Sequence, residues 1–195
     1  NPETDGAELK RRTGLVLQTT ALEPELTIKE TITAFARLYR EPRDIGAVLV
    51  DVNLAHLQDN RVGNLSGGQK RRLEIALGIV GDPELVFLDE PTTGLDPEAR
   101  RKIWTLIPRL KSNGCTIVLS SHYMDEVQAL ASHMAIMVNG QIAAEGRPLD
   151  LQRQHCTHAT IRFETDSKLP DGFPARLASV TEVNNGHAEL VVEDP

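Results

Sequence analysis

In four places this sequence puts polar, chemically capable side chains where an apolar run stops or a helix starts. Asn64-Leu65-Ser66-Gly67-Gly68-Gln69 opens a helical pattern, and 23 positions after Ser66 the apolar run Leu85-Val86-Phe87-Leu88 ends in Asp89-Glu90. His122 follows the run Thr116 to Leu119 through Ser120-Ser121, 32 residues after Glu90, and Gln18 ends the run Leu15 to Leu17. Gly67 and Gly68 remove side chains just where a helix begins, so backbone N–H groups and the positive end of the helix dipole can approach an anion, with the Ser66 hydroxyl as a further donor. The same Ser-x-x-Gln pattern is also an everyday helix cap. Asp89 and Glu90 suit magnesium through the first carboxylate and water activation through the second, beside a polyphosphate; they equally fit a strand that surfaces into a polar loop. His122 could bond a terminal phosphate oxygen or position a water, and Gln18 could reach the same metal or water. Taken singly, each is also consistent with a solvated loop residue.

The elements that must position these residues follow from periodicity and punctuation. Thr27-Ile28-Lys29-Glu30 is a capping box, followed by Ile28, Ile32, Phe35 and Leu38 or Tyr39 at helical spacing up to Pro42. Ile45, Val48, Leu49 and Val52 form a second helical pattern. Ser66 and Gln69 cap a longer helix with the stripe Leu73, Ala76, Leu77 and Val80, stopped at Gly81-Asp82-Pro83. Leu85 to Leu88 has no alternation and predicts a strand covered on both faces. Asp96-Pro97 caps a helix with Ile103, Leu106, Ile107 and Leu110 inward, and Pro108 is expected to kink or shorten it. Thr116 to Leu119 predicts a second buried strand, Tyr123 to Leu130 a short helix, and Ala135 to Val138 a third strand turning at Asn139-Gly140 into Gln141 to Ala144. Alternating strands and helices predict an α/β fold with a mainly parallel sheet. After Pro148 the pattern becomes β-rich, with Thr160 to Phe163, and with Val180 to Val183 and Ala188 to Val192 around Asn184-Asn185-Gly186. The boundary is placed near Leu151 to Gln154.

Length and charge bound the rest. The 195 residues carry 40% hydrophobic content, enough for a real core, and a net charge of −7 argues against nucleic acid or anionic lipid as a partner of the whole surface. The triplets Lys10-Arg11-Arg12, Lys70-Arg71-Arg72 and Arg100-Arg101-Lys102 read as solvated faces. Two distant cysteines, Cys115 and Cys156, fit a reducing compartment. The uncharged stretch Val127 to Ala144 is too polar for a membrane span, and no secretory leader is expected from the opening Asn-Pro-Glu-Thr-Asp. His155-Cys156-Thr157-His158 is read as a linker rather than a metal tract, and Trp104 as a packing residue.

In order and spacing together, these residues closely resemble the ATP-binding cassette (ABC) ATPases, from roughly Gly14 to Leu151. Gln18 is similar to the Q-loop glutamine, and Leu65-Ser66-Gly67-Gly68-Gln69 matches the signature without a mismatch. Leu85 to Glu90 resembles the Walker B strand with its catalytic glutamate, Thr93-Gly94-Leu95-Asp96 the D-loop, and His122 the switch histidine. Ser121 to Glu126, Leu73 to Gly78 and the β-rich tail look most like ATPase subunits of bacterial exporters for drugs, lipids or polysaccharides. The resemblance implies a P-loop-NTPase-like cassette at 1–151 with a helical subdomain at about 25–80, and a small β-rich accessory region at 152–195. It also implies a composite site for ATP and magnesium shared by two head-to-tail cassettes, taken as two copies of one chain. Glu90, His122 and Gln18 would be catalytic, and Asp89 and Gln18 would hold magnesium in cis. Ser66, Gly67, Gly68 and Gln69 would cap the partner's ATP, with Asp96 communicating across the interface. A separate membrane permease would dock on the surface around Gln18, placing the subunit on the cytoplasmic face of the membrane.

The departure from the family is equally plain: none of the 14 glycines is followed by lysine, so the Gly-Lys-[Ser/Thr] of a P-loop is missing from this sequence, and 17 residues precede Gln18. The sequence therefore resembles a cassette without its amino-terminal part. The alternatives are a cassette ATPase of translation or DNA repair, without the long heptad arms or second cassette those would show, and a degenerate partner that only caps another subunit's ATP. Intact Glu90 and His122 argue against the last. These 195 residues alone are expected to hydrolyse ATP hardly at all; steady-state phosphate release comparable to an intact cassette would overturn this.

Overall fold

The computed structural model describes residues 5–18, 20–155, 158–164, 179–184 and 187–193, the last three segments as backbone. In chain order the elements are α1 (Gly6–Arg11), β1 (Thr13–Val16), α2 (Ile28–Ala36), α3 (Ile45–Asp51), α4 (Gly67–Ile79), β2 (Leu85–Asp89), α5 (Pro97–Ser112), β3 (Thr116–Ser120), α6 (Met124–Leu130), β4 (Met134–Val138), β5 (Gln141–Gly146), α7 (Pro148–His155), β6 (His158–Glu164), β7 (Ser179–Asn184) and β8 (His187–Glu193). Two short 3-10 turns, Ala55–Leu57 and Val62–Asn64, lie between α3 and α4. The chain divides into two compact units, 1–130 and 131–195.

The first unit is built on a parallel sheet of order β1-β2-β3. Its pairing is level: Val16 lies opposite Leu88, Leu88 opposite Leu119, and Asp89 opposite Ser120. The helices between α2 and α5 cover one face. Val16, Val86 and Leu88 are buried there with Ile28, Ile32, Leu49, Leu73, Ile75, Ile79, Ile103 and Ile107. The other face differs from the both-sided burial expected from Leu85 to Leu88. Leu15, Phe87 and Val118 stand in one register row and are all exposed, so the strands alternate after all.

Local signals explain most element ends. Thr27 and Glu30 form the expected capping box of α2, and Asp44 Oδ1 caps α3 by accepting from Ala47 N–H at 2.8 Å. Glu30 is held below the ordinary carboxylate range by the backbone N–H of Thr27 and then by its hydroxyl. Of the two alternatives at the end of the stripe, Tyr39 packs against the core, while Phe35 and Leu38 are exposed. The N–H groups of Leu38 and Tyr39 bond three residues back, to Phe35 and Ala36, which tightens the last turn and rotates Leu38 out to solvent. α5 runs unbroken through Pro108, whose exposed ring is accommodated on the solvent side, while Ile103, Leu106, Ile107 and Leu110 are buried as expected.

α4 is buried on nearly every side and approaches β1 without a spacer. A Cβ on Gly14 would collide with the carbonyl of Gly78, and one on Gly78 would lie 2.7 Å from Val16 Cγ2. Two glycines therefore allow helix and strand to touch, and α4 inherits its position from the sheet.

In the second unit, β4 and β5 form an antiparallel hairpin on Asn139 (φ +51°) and Gly140 (φ +77°), the two-residue turn that Asn-Gly favours. β4 is thus not the third parallel strand expected; β1 takes that place. β6, β8 and β7 form a separate antiparallel sheet in that order. Cys156 and Thr157 of the linker tract, and Asn185 and Gly186 of the expected turn, lie outside the described residues.

Because Gly14 has no space for a methyl, Gly14→Ala should lower unfolding free energy by about 1–3 kcal/mol. Gly6, where an added Cβ would have nothing within 4 Å, should tolerate the same change within about 0.5 kcal/mol. Urea denaturation of the two variants measures the difference.

Candidate active site

Because β1, β2 and β3 are parallel and level, their carboxyl ends open onto one edge, where ligands bind in open α/β sheets. Gln18 comes two residues after β1, Glu90 one after β2 and His122 two after β3. The structure brings the three together. Gln18 Nε2 donates to Glu90 Oε2 at 3.1 Å, and His122 Nδ1 lies 3.3 Å from Glu90 Oε1. A carboxylate oxygen accepts from Nδ1 when that nitrogen carries the proton, and Nε2 has no partner among the described residues. Thr93 Oγ1 also donates to Glu90 Oε2, at 3.1 Å.

Glu90 has a left-handed backbone, φ +45°, which costs a non-glycine residue about 1–2 kcal/mol. Its N–H donates to Ser120 Oγ at 3.0 Å, and that hydroxyl donates onward to Asp89 Oδ1 at 2.6 Å. Ser120, read from sequence only as a connector, thus ties the two acidic residues to the end of β3. Strain at a residue whose carboxylate is held by three neighbours and whose N–H is held by a fourth is the pattern of a preorganised site.

Ser66 is exposed at the amino end of α4, where it accepts from Gln69 N–H at 3.3 Å while Gln69 Oε1 accepts from Ser66 N–H at 2.8 Å. Both halves of the capping box are present, so the Gln69 side chain is engaged with its own helix. Gly67 has open space around it, whereas a Cβ on Gly68 would lie 2.6 Å from Ala99 Cβ. Gly68 thereby seats α4 on the first turn of α5. Asp96 caps that same turn, its Oδ1 accepting from Glu98 and Ala99 N–H groups at 2.9 Å each, which holds its carboxyl below the ordinary range. No hydrogen bond among the described residues joins Ser66 to Gln69, or Asp96, to the Glu90 cluster. The structure therefore presents two separate groups: Gln18, Asp89, Glu90 and His122 at the sheet edge, and Ser66 to Gln69 beside Asp96 at two adjacent helix starts.

The basic triplet Lys70-Arg71-Arg72 is not a solvated face: Arg71 and Arg72 are each 7% exposed. Arg72 Nη1 donates to the carbonyls of Val52 at 3.2 Å and Asn53 at 2.7 Å, closing the end of α3, and burial lowers its pKa. Arg71 Nη1 donates to Leu17 O at 2.6 Å and to Glu74 Oε2 at 2.7 Å. Its Nη2 reaches Asp89 O at 2.6 Å and its Nε reaches Pro91 O at 3.0 Å. The available signal is an opposite-charge pair, Arg71 and Glu74, at helical spacing within an apolar stretch. Trp104 likewise does more than pack: Nε1 donates at 3.1 Å to Glu126, which is fully buried on α6. Arg100 stacks over the Tyr123 ring at 4.2 Å, next to His122.

A divalent cation would find Asp89 and the Gln18 amide oxygen here. No group of three His, Cys, Asp or Glu among the described residues could cage a metal. One carboxylate and one amide oxygen fit magnesium, which takes most of its ligands from phosphates and water. No helix among the described residues is long and apolar enough to cross a membrane.

Comparison with known proteins bears on the family and the fold. Residues 2–93 match the ABC transporter family. The Nod factor export ATP-binding protein I of Rhizobium meliloti is 42% identical over 97% of this chain and 56% of its own length. That of Burkholderia thailandensis is 35% identical over 95% of this chain and 63% of its own length. That of Rhizobium etli is 41% identical over 71% of this chain and 45% of its own length, so the chain spans about half the length of these relatives. Among solved structures, cbiO1 from Clostridium perfringens, part of the ABC transporter complex cbiONQ, superposes with a TM-score of 0.69 at 28% identity, over 76% of this chain and 62% of that one. The ADP conformation of an ATP-binding cassette of an ABC transporter gives 0.62 at 27% identity, over 72% and 63% of the two chains. With the motifs in order, the fold shared and the relatives all of one kind, the chain belongs to the ABC transporter ATP-binding cassettes and spans part of one.

Proposed function

We propose that this chain is the catalytic-edge and signature portion of the ATP-hydrolysing subunit of an ABC exporter, with the P-loop contributed by polypeptide outside these 195 residues. The observation that carries the reading is the convergence of Gln18 and His122 on the Glu90 carboxylate, at 3.1 and 3.3 Å, from three different strand ends. The export direction is supported by the names of the relatives, each a Nod factor export ATP-binding protein.

Bound ATP supplies a transferable γ-phosphoryl group, and magnesium neutralises its charge. Glu90 accepts the proton of the attacking water on a carboxylate oxygen, a task suited to a group held in place by Thr93, Gln18 and Ser120. His122, with Nδ1 engaged by Glu90, has Nε2 left to bond the phosphate. Asp89 and Gln18 offer oxygens to the metal. The exposed Ser66, Gly67 and the first N–H groups of α4 would form an anion-binding helix start for the nucleotide of a second cassette, joined by no hydrogen bond among the described residues to the carboxylate cluster of their own chain. That second cassette is taken as another copy of the chain. ATP-driven closure of the pair, transmitted to a membrane permease docked near Gln18, would place the subunit on the cytoplasmic membrane surface.

In the complete cassette, Glu90→Gln should reduce steady-state phosphate release at least about 100-fold while ATP binding persists, since the amide fills the same space and still accepts from Gln18 and Thr93 on its one oxygen but loses the base. Phosphate release and equilibrium nucleotide binding measured side by side check it. An active Gln variant removes Glu90 from the chemistry, and an inactive parent cassette favours the degenerate capping partner.

A further inference from the structure

We propose that Arg71 is a positioning residue that locks the hydrolytic edge of the cassette to its signature helix, so that the two halves of the site move as one. This rests on the hydrolytic reading given above. The carbonyls that Arg71 holds are not scattered. Leu17 immediately precedes Gln18, and Asp89 and Pro91 flank Glu90 on either side. One guanidinium thus holds carbonyls next to Gln18 and next to Glu90, whose side chains bond each other.

The clamp has a physical task. Glu90 sits at φ +45°, a conformation that relaxes unless its neighbours over-determine it. Ser120 holds its N–H from one side, and Arg71 holds the carbonyls before and after it from the other. The planar fork of arginine can reach three carbonyls in different directions at once, which the single ammonium of lysine cannot. Arg71 is itself kept in place by burial and by Glu74, three residues on along α4, whose side chain is only 12% exposed.

Arg71 lies one helical turn after Gly67, so the same helix carries the exposed anion-binding start and the clamp. A displacement of α4 when Ser66 and Gly67 engage a partner's nucleotide is delivered to Gln18 and Glu90 without passing through a flexible loop. Lys70, next to Arg71, makes no such contact among the described residues, and Arg72 serves the end of α3 instead.

The test uses the complete cassette with its P-loop segment and three variants. Arg71→Lys keeps the charge beside Glu74 but loses the fork. Arg71→Met removes both, and Arg71→Met with Glu74→Met replaces the buried ion pair by an apolar pair that restores packing without the carbonyl bonds. Arg71→Lys is expected to lower kcat at least about tenfold with the ATP KM within about twofold, and to speed amide hydrogen exchange at Gln18 and Glu90. The double variant should recover the parent melting temperature without recovering kcat. Parental kcat and exchange in Arg71→Lys, or recovery of kcat together with stability in the double variant, would reduce Arg71 to a packing residue and overturn the proposal. A parent cassette that hydrolyses no ATP instead overturns the hydrolytic reading, and exchange at Gln18 and Glu90 then decides the clamp by itself.

Discussion

Everything at the catalytic edge depends on the level, parallel pairing of three short strands. Parallel strands in register finish together, so whatever follows each one is delivered to the same place. Gln18, Glu90 and His122 are separated by 72 and 32 positions in the chain, yet they need no long-range recognition of one another. A slip of one residue in β2 would turn Asp89 and Glu90 to the opposite faces of the sheet. The glycines of β1 and α4 protect that register, because only at Gly14 opposite Gly78 can the helix lie flush on the strand.

A second constraint is electrostatic. Burying a guanidinium is costly unless its donors are answered, and four of the five N–H groups of Arg71 are answered by three backbone carbonyls and one carboxylate. Those carbonyls stand where strands give way to loops and the sheet no longer supplies partners. The charge that looks misplaced in the core thus resolves the hydrogen-bonding needs of the two turns that carry the chemistry.

These cases separate what a linear reading can recover from what it cannot. Caps, turn residues and strand-end carboxylates are legible because their physics is local: Thr27 with Glu30, Ser66 with Gln69, Asp96 before Pro97, Asn139 with Gly140. The convergence of Gln18 and His122 on Glu90 is legible only through motif order, since spacing along the chain says nothing of distance in space. Arg71 escapes such a reading because a run of basic residues has the same composition whether it faces water or a set of carbonyls. β4 escapes it because an apolar run does not declare its partner: it pairs back on β5 through a tight turn, and β1, too short to stand out, completes the parallel trio. Unbroken apolarity in β2 suggests burial on both faces, whereas Phe87 shares an uncovered row with Leu15 and Val118.

That uncovered row has a colloidal consequence. Parallel sheets are ordinarily laminated by helices on both sides, and a strip of leucine, phenylalanine and valine facing water lowers its free energy by sticking to whatever apolar surface it meets. The net charge of −7 opposes contact between copies by mutual repulsion, but that repulsion is long-ranged and fades as salt is added, while the adhesion is short-ranged and does not. In a longer polypeptide the same strip is apolar surface that gains by burial against whatever segment packs on it.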